Sequence, residues 1–262
     1  MMQHSLVTLL AVIVLLFTPA KASAEELTPL TLWAPVLSWN IKLGKQATPI
    51  LVLDSEISDP QAKQSHTQET PVLTFSRWRT NGEVQVRLNL DNNGQPFYDR
   101  SFIRTALGYQ VTPKWSVFEG VVYQPDGYSA YRREIRPYVA SIREDRFKRL
   151  QIQNQTRLEQ RFFEDSNQVS HRLRHRIRLT HPINAKGDWK VTAYNEQFVT
   201  LNTTRSGPRR GWDQARYFVG LRKDVNKYVM LEAGYLFLPV NRAGNQENIR
   251  NHIIFLGVQL NN

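Results

Sequence analysis

Arg172, Arg174, Arg176 and Arg178 stand on alternate residues, separated by Leu173, His175 and Ile177 and followed by Leu179. Guanidinium groups in a row do one kind of chemistry well. They hold carboxylates or phosphates through planar, bidentate hydrogen bonds and never lose their charge. A β-strand repeats its side-chain direction every second residue, so all four arginines point to one face. On a helix they would scatter around the axis. One face of this strand is too charged for a dry core, and the other is fairly apolar. A soluble sandwich would show water a few surface charges rather than an arginine ladder. A barrel that crosses an outer membrane needs apolar residues outside and polar ones within.

The same alternation recurs along the chain in runs of about ten residues, the length of a membrane-crossing strand. Val84, Val86, Leu88 and Leu90 alternate with Glu83, Gln85, Arg87 and Asn89. Ile103, Thr105, Leu107 and Tyr109 alternate with Arg104, Ala106 and Gly108. Leu150, Ile152 and Leu158 oppose Gln151, Gln153, Gln155, Arg157, Glu159 and Arg161. Val191 and Ala193 oppose Thr192, Tyr194 and Glu196. Ala215, Tyr217, Val219 and Leu221 oppose Gln214, Arg216, Gly220 and Arg222, and Leu231, Ala233, Tyr235 and Phe237 oppose Glu232 and Gly234. No convincing long helix interrupts them.

Tight turns are expected at Thr80-Asn81-Gly82, Thr112-Pro113, Arg143 to Asp145, Asn184 to Asp188 and Asp224 to Asn226. Between them lie connections that are mostly longer, at Ser58–Thr70, Asp91–Asp99, Gln124–Ser129, Asn202–Gly211 and Asn241–Glu247, with a short link near Glu164–Asn167. Short periplasmic turns alternating with longer external loops is the outer-membrane pattern. Counting back from Ile249–Leu260 gives twelve strands beginning near Ala47–Glu56, with a further candidate at Leu30–Leu43. Thirteen would break the even-number rule of bacterial barrels, so either one N-terminal segment stands outside the wall or two runs form one long strand. The expected fold is therefore all-β: a closed antiparallel up-and-down transmembrane β-barrel of about twelve strands, with ten as the alternative. Trp33, Trp39, Trp78, Trp115, Trp189 and Trp212 fall near strand ends, where aromatic girdles meet the membrane interface.

The N-terminus names the compartment. Leu6 to Phe17 is an apolar run of signal-peptide length, and Ala22-Ser23-Ala24 is a small-x-small cleavage site. Residues 1–24 are expected to be a signal peptide and 25–262 one barrel domain in the outer membrane of a Gram-negative bacterium. Removing Lys21 lowers the formal net charge from +11 to +10. The chain has no cysteine, so an exported form is held by backbone and packing rather than disulfides. At 41% hydrophobic residues it is too apolar for disorder.

The lumen face would then collect Arg87, Arg104, Arg136, Arg157, Arg161, Arg172, Arg174, Arg176, Arg178, Arg216 and Arg222 against Glu83, Glu134, Glu159, Glu196 and Glu232. Neighbouring strands lie about 4.8 Å apart, so Glu159 and Glu196 can flank the arginine ladder. Two readings compete: a salt-bridge network that fills a narrow barrel, and an anion-selective pore. Small barrels are mostly filled by side chains, so filling is the expectation. His171 and His175 share the outer face but stand about 13 Å apart along the strand, too far to share a metal. Ser170 is on the opposite face, so a nucleophile and base do not meet; neither a catalytic set nor a cofactor is expected. The remaining alternatives are a membrane-embedded lipid- or lipopolysaccharide-modifying enzyme and a soluble periplasmic barrel. A nucleic-acid partner is not expected, because the basic residues interleave with carboxylates and no recognition motif appears. Arg205, Arg209 and Arg210 form a basic cluster in a long loop, suited to lipopolysaccharide phosphates. Expected partners are outer-membrane lipid, lipopolysaccharide and the assembly machinery that inserts such barrels.

A set of short segments, taken in order, resembles the bacterial family known only as domain of unknown function 2490. They are Ala106-Leu107-Gly108-Tyr109, Glu134-Ile135-Arg136, Arg157-Leu158-Glu159-Gln160-Arg161, Arg172-Leu173-Arg174 with Arg176, and Asn195-Glu196. Trp212-Asp213-Gln214-Ala215-Arg216 before Gly220, Gly234-Tyr235 and Asn251-His252 complete the series. Ala215 stands where Asn is usual in that family, and the chain ends Leu260-Asn261-Asn262 rather than on the terminal aromatic of outer-membrane barrels. The resemblance implies a barrel of that kind and brings no activity with it.

Overall fold

The computed structural model describes residues 31–42, 77–90, 96–125, 132–205, 207–241 and 249–261. The expected signal peptide and the expected strand Ala47–Glu56 lie outside these residues. Among the described residues eleven strands follow one another: β1 (Thr31–Lys42), β2 (Trp78–Leu90), β3 (Pro96–Thr112), β4 (Trp115–Gln124), β5 (Glu134–Phe147), β6 (Leu150–Phe163), β7 (Ser170–Pro182), β8 (Trp189–Thr200), β9 (Gly211–Asp224), β10 (Val229–Val240) and β11 (Ile249–Asn261). Each pairs with the next, and β1 pairs with β11 to close the barrel.

The closing pair is parallel, with Leu37 opposite Val258 and Trp39 opposite Leu260. This corrects the expectation of twelve or ten all-antiparallel strands. Around a ring of antiparallel neighbours strand direction alternates, so the number must be even; one parallel seam permits eleven. The candidate Leu30–Leu43 is part of the wall, as β1, rather than outside it. Val36 anchors it inward among Phe218, Leu236, Leu238 and Ile253. On the outer side the Trp39 ring lies across Gly82 of β2, where any Cβ would stand 2.0 Å from a ring carbon.

That contact explains a second correction. Asn81-Gly82 carries a turn signature, yet it lies inside β2, where the missing side chain admits the indole. The charged run Arg143–Asp145 also lies inside a strand: Arg143 and Glu144 pair with Asn154 and Gln153, and the turn falls at Lys148-Arg149, with Lys148 at φ 54°. The turns at Pro113-Lys114, 183–188 and 225–228 stand where the sequence places them. Asn184 Oδ1 accepts from the Gly187 and Trp189 amides at 3.0 and 3.2 Å, and Asn226 Oδ1 accepts from Tyr228 and Val229 at 2.8 and 2.9 Å. Asparagine thus closes both turns with its own side chain. Asp188 accepts from Lys223 and, at 2.5 Å, from Asn184; these bonds hold its carboxyl below the usual carboxylate range. Of the five links at this end, four hold two, two, six and four residues and the β1–β2 link holds 35, against five, nine, six, ten and eight at the other.

The two faces of the wall differ as the alternation requires. Outward stand Ile103, Leu107, Val121, Ile135, Val139, Leu158, Leu173, Leu221, Leu231 and Leu256, all exposed. Trp39, Trp78, Trp115 and Trp189 ring the short-turn end, and Trp212 stands at the other with Tyr98, Tyr123 and Phe162. The Trp33 side chain lies outside the described residues. Polar atoms on this face largely bond each other. Trp115 Nε1 donates to Ser141 Oγ at 2.7 Å, Thr156 Oγ1 meets His175 Nδ1 at 3.0 Å, and Trp212 Nε1 donates to Gln197 Oε1 at 2.9 Å. Glu119 interrupts the band between Leu107 and Val139. Inside, two apolar clusters pack against opposite walls, one around Phe218 and Leu236, the other around Phe118, Val122 and Tyr138.

The parallel seam makes a direct prediction in a chain free of cysteine. Neighbouring strands lie about 4.8 Å apart, within disulfide reach. Leu37→Cys combined with Val258→Cys should form an intramolecular disulfide under mild oxidation, seen as a shift on non-reducing gels after unfolding. Failure to form it, while Val139→Cys with Leu158→Cys on β5 and β6 succeeds, would contradict the seam.

Candidate functional site: an arginine-lined lumen

Strand alternation delivers the charged residues to the interior, and register decides which of them meet. Arg172 of β7 lies opposite Glu159 of β6, and Arg174 lies opposite Arg157. Like charges directly opposed on a sheet repel, so the network must bridge diagonally. Glu159 does this with no exposed surface. Its Oε2 accepts from Arg172 Nε at 2.9 Å and Nη2 at 2.6 Å, and its Oε1 accepts from Arg174 Nη1 at 2.6 Å. Arg174 also donates to Glu196 Oε1 at 2.8 Å, and Glu196 Oε2 accepts from Arg216 at 3.3 Å. A continuous chain therefore crosses β6, β7, β8 and β9: Arg172, Glu159, Arg174, Glu196, Arg216.

An aromatic floor supports it. Phe198 is fully buried on β8, and the guanidinium carbons of Arg174, Arg216 and Arg172 stand 4.4, 4.9 and 5.2 Å from its ring centre. Arg157 lies 4.2 Å from the Tyr138 ring centre. Cation–π attraction of this sort strengthens when water is excluded.

The other acids each hold their own arginines. Glu134 accepts from Arg161 at 2.5 and 3.2 Å, with Arg136 3.7 Å away. Glu83 pairs with Arg104 at 2.8 Å, and Glu232 pairs with Arg178. Arg87 donates to Gln85 at 3.3 Å and lies over Phe102. Arg176 has a glutamine as hydrogen-bond partner, Gln153 at 3.1 Å, and lies over Tyr194. Arg222 reaches Gln259 at 3.5 Å. All of these side chains stand on the inward face of the wall.

The interior is not filled. A cavity of 720 Å³ remains, reached on β6 by Gln153, Gln155, Arg157 and Arg161. That span is eight residue steps, ~26 Å along the strand. Among the described residues eleven arginines and four glutamates line it, and Glu159, Asp99 and Asp213 stand bonded behind lining arginines, which leaves a surplus of four positive charges (11 − 7).

Two acids of the network had no legible signal. Asp213 reaches Arg172 at 3.3 Å from a register shift beside Phe198, and Asp99 pairs with Arg100 at 2.9 Å beside a shift at Arg87. A bulge adds a residue to one strand and breaks the alternation that identifies faces. Phe198 could have been found: it follows Tyr194 and Glu196 at the inward spacing.

Other candidates lie elsewhere. Arg205, Arg209 and Arg210 are exposed in the β8–β9 loop. His175 faces outward and bonds a threonine hydroxyl, Thr156. Ser170 is buried on the opposite face from His171. Among the described residues no three His, Cys, Asp or Glu side chains gather in a way that could hold a metal ion.

Comparison with known proteins places residues 66–249 under a family model described as protein of unknown function (DUF2490). An uncharacterised protein of Methylorubrum extorquens is 31% identical over 162 residues, covering 59% of this chain and 68% of that one. An anion-selective porin from Comamonas acidovorans superposes with TM-score 0.34 at 11% identity, covering 70% of this chain. This chain spans 57% of that porin.

The network predicts its own sensitivity. Removing the Glu159 charge leaves Arg157, Arg172 and Arg174 facing one another, and breaking a buried pair in this way costs about 3–5 kcal/mol. Glu164 is half-exposed and 3.7 Å from Arg133, a kind of pair worth about 0–1 kcal/mol. Glu159→Gln should therefore lower the temperature of the folded-to-unfolded gel shift well below that of Glu164→Gln. Equal temperatures would contradict the network.

Proposed function

Because the chain belongs to the DUF2490 family of proteins of unknown function, its role has to be read from its own geometry, and we propose that it is an outer-membrane β-barrel that passes small anions through an arginine-lined lumen. The observation that carries this reading is the cavity: it follows β6 for most of its length and holds eleven arginines against four glutamates. Low-dielectric walls lined by one sign of charge focus the field and raise the local concentration of counter-ions. Rings of Arg or Lys select anions in pores of this kind.

The membrane part of the proposal rests on the outer face. Exposed apolar side chains stand on it at Trp115, Val117, Val121 and Tyr123 of β4 and at Ile135 and Val139 of β5. Water-soluble monomers rarely expose contiguous apolar patches beyond a few hundred Å². Aromatic residues at both rims match the girdles of a bilayer-spanning barrel. The short-turn end would face the periplasm. The β8–β9 loop would then face outward, with Arg205, Arg209 and Arg210 placed for lipopolysaccharide phosphates and lipid as the surrounding partner. Permeation is the reading the cavity supports.

Purified protein reconstituted into liposomes tests the proposal. External iodide should quench an entrapped fluorophore much faster than in empty liposomes, while potassium entry through the protein stays slower than iodide entry. Iodide entry at the rate of empty liposomes would sink the permeation reading.

A further inference from the structure

The ion pairs of the lumen leave a particular gap. Arg157 is almost fully buried, and its carboxylate neighbour, Glu159, stands 3.5 Å away. Both Glu159 oxygens are already held at 2.6 Å by Arg172 and Arg174. Directly across the sheet from Arg157 is Arg174, another cation. Arg176 is directly opposite Glu196, yet that carboxylate is bonded to Arg174 and Arg216, and the hydrogen bond of Arg176 goes to Gln153. Arg104 repels both Arg157 and Arg176 and spends its own pairing on Glu83. The Nε atoms of all three arginines are buried with no hydrogen-bond partner in the protein. All three guanidinium side chains line the same cavity.

A buried cation whose carboxylate is shared with other cations is costly, and guanidinium N–H groups without a hydrogen bond add their own desolvation penalty. Water can fill the hydrogen bonds but not the charge. We propose that the lumen contains a binding site for a compact multivalent oxyanion, a phosphoryl or polycarboxylate group, held by Arg157 and Arg176 with Arg104 of β3. The four-charge surplus calls for more than one negative charge in the ligand. Planar guanidinium forks suit the paired oxygens of phosphate and carboxylate. The cavity, at 720 Å³, has the size of a small-molecule site. The site rests on the anion-passage reading and deepens it: the lumen becomes a selective path with a binding step rather than a plain hole.

Inorganic pyrophosphate and citrate are the probes, added separately to the folded wild-type protein in detergent and in liposomes. The bound state is more stable in proportion to occupancy, so at least one probe should raise the gel-shift temperature saturably. That probe should also slow iodide entry with the same half-saturation concentration. The stronger probe identifies phosphoryl or carboxylate as the favoured group. In the Arg157→Gln, Arg176→Gln double variant the half-saturation should rise at least tenfold, while Arg143→Gln, an exposed arginine outside the lumen, leaves it unchanged. Iodide entry with no saturable effect of either probe would overturn the site and leave anion passage standing. Saturable stabilisation without iodide entry would keep the site and remove the passage. An unchanged half-saturation in the double variant, with its folded gel form intact, would overturn the assignment to these residues.

Discussion

Glu159 has to neutralise arginines that strand geometry forces together. Period two puts every second residue of β6 and β7 on the inside, and the register sets Arg157 against Arg174. The pairing that keeps this stable is diagonal, from one carboxylate to two guanidiniums, and it passes on through Glu196 to Arg216. Interior arginines of this kind are tolerable only where acids, aromatic faces or bound anions compensate them. Phe198 and Tyr138 supply the faces, and the apolar clusters around Phe218 and Phe118 narrow the remaining space. What is left is a cavity whose walls are more positive than its acids can balance, and that imbalance is the source of the proposed function.

The second constraint is closure. A sheet of eleven strands cannot close with antiparallel pairs alone, and the parallel β1–β11 seam resolves the parity. Val36 fills the interior beside Phe218 and Ile253, while Trp39 locks over Gly82 on the outside. Strand β1 is therefore held by an inward contact toward β11 and an outward contact on β2, in addition to its two backbone ladders. It also places β11 next to β1, so Phe255 and Gln259 help bound the cavity opposite the arginine ladder.

Much of this was legible in the sequence, and the reason is physical. Where one face is charged and the other apolar, as in Arg172–Leu179 or Val84–Leu88, a one-residue slip would invert every side chain, so the pattern fixes which residues point inward. Strand number was less legible, because alternation says nothing about the direction of the neighbouring strand. Asn81-Gly82 carried a true turn signature, but a glycine that makes room for an indole looks the same in sequence. Asp99 and Asp213 join the site through register shifts that alternation cannot encode. The cavity was the least legible feature. Sequence shows which side chains enter the lumen, but whether they fill it depends on how Phe198, Phe218 and Tyr138 stack against the guanidiniums.

The central claim is that a surplus of arginine charge governs what passes through this barrel. The most direct measurement is the reversal potential of the wild-type protein in a planar bilayer under a potassium chloride gradient. A lumen of this charge should conduct, with a reversal potential close to the chloride equilibrium value. A reversal potential near zero or on the potassium side would contradict the claim, and so would the absence of any conductance from protein shown to be folded and inserted.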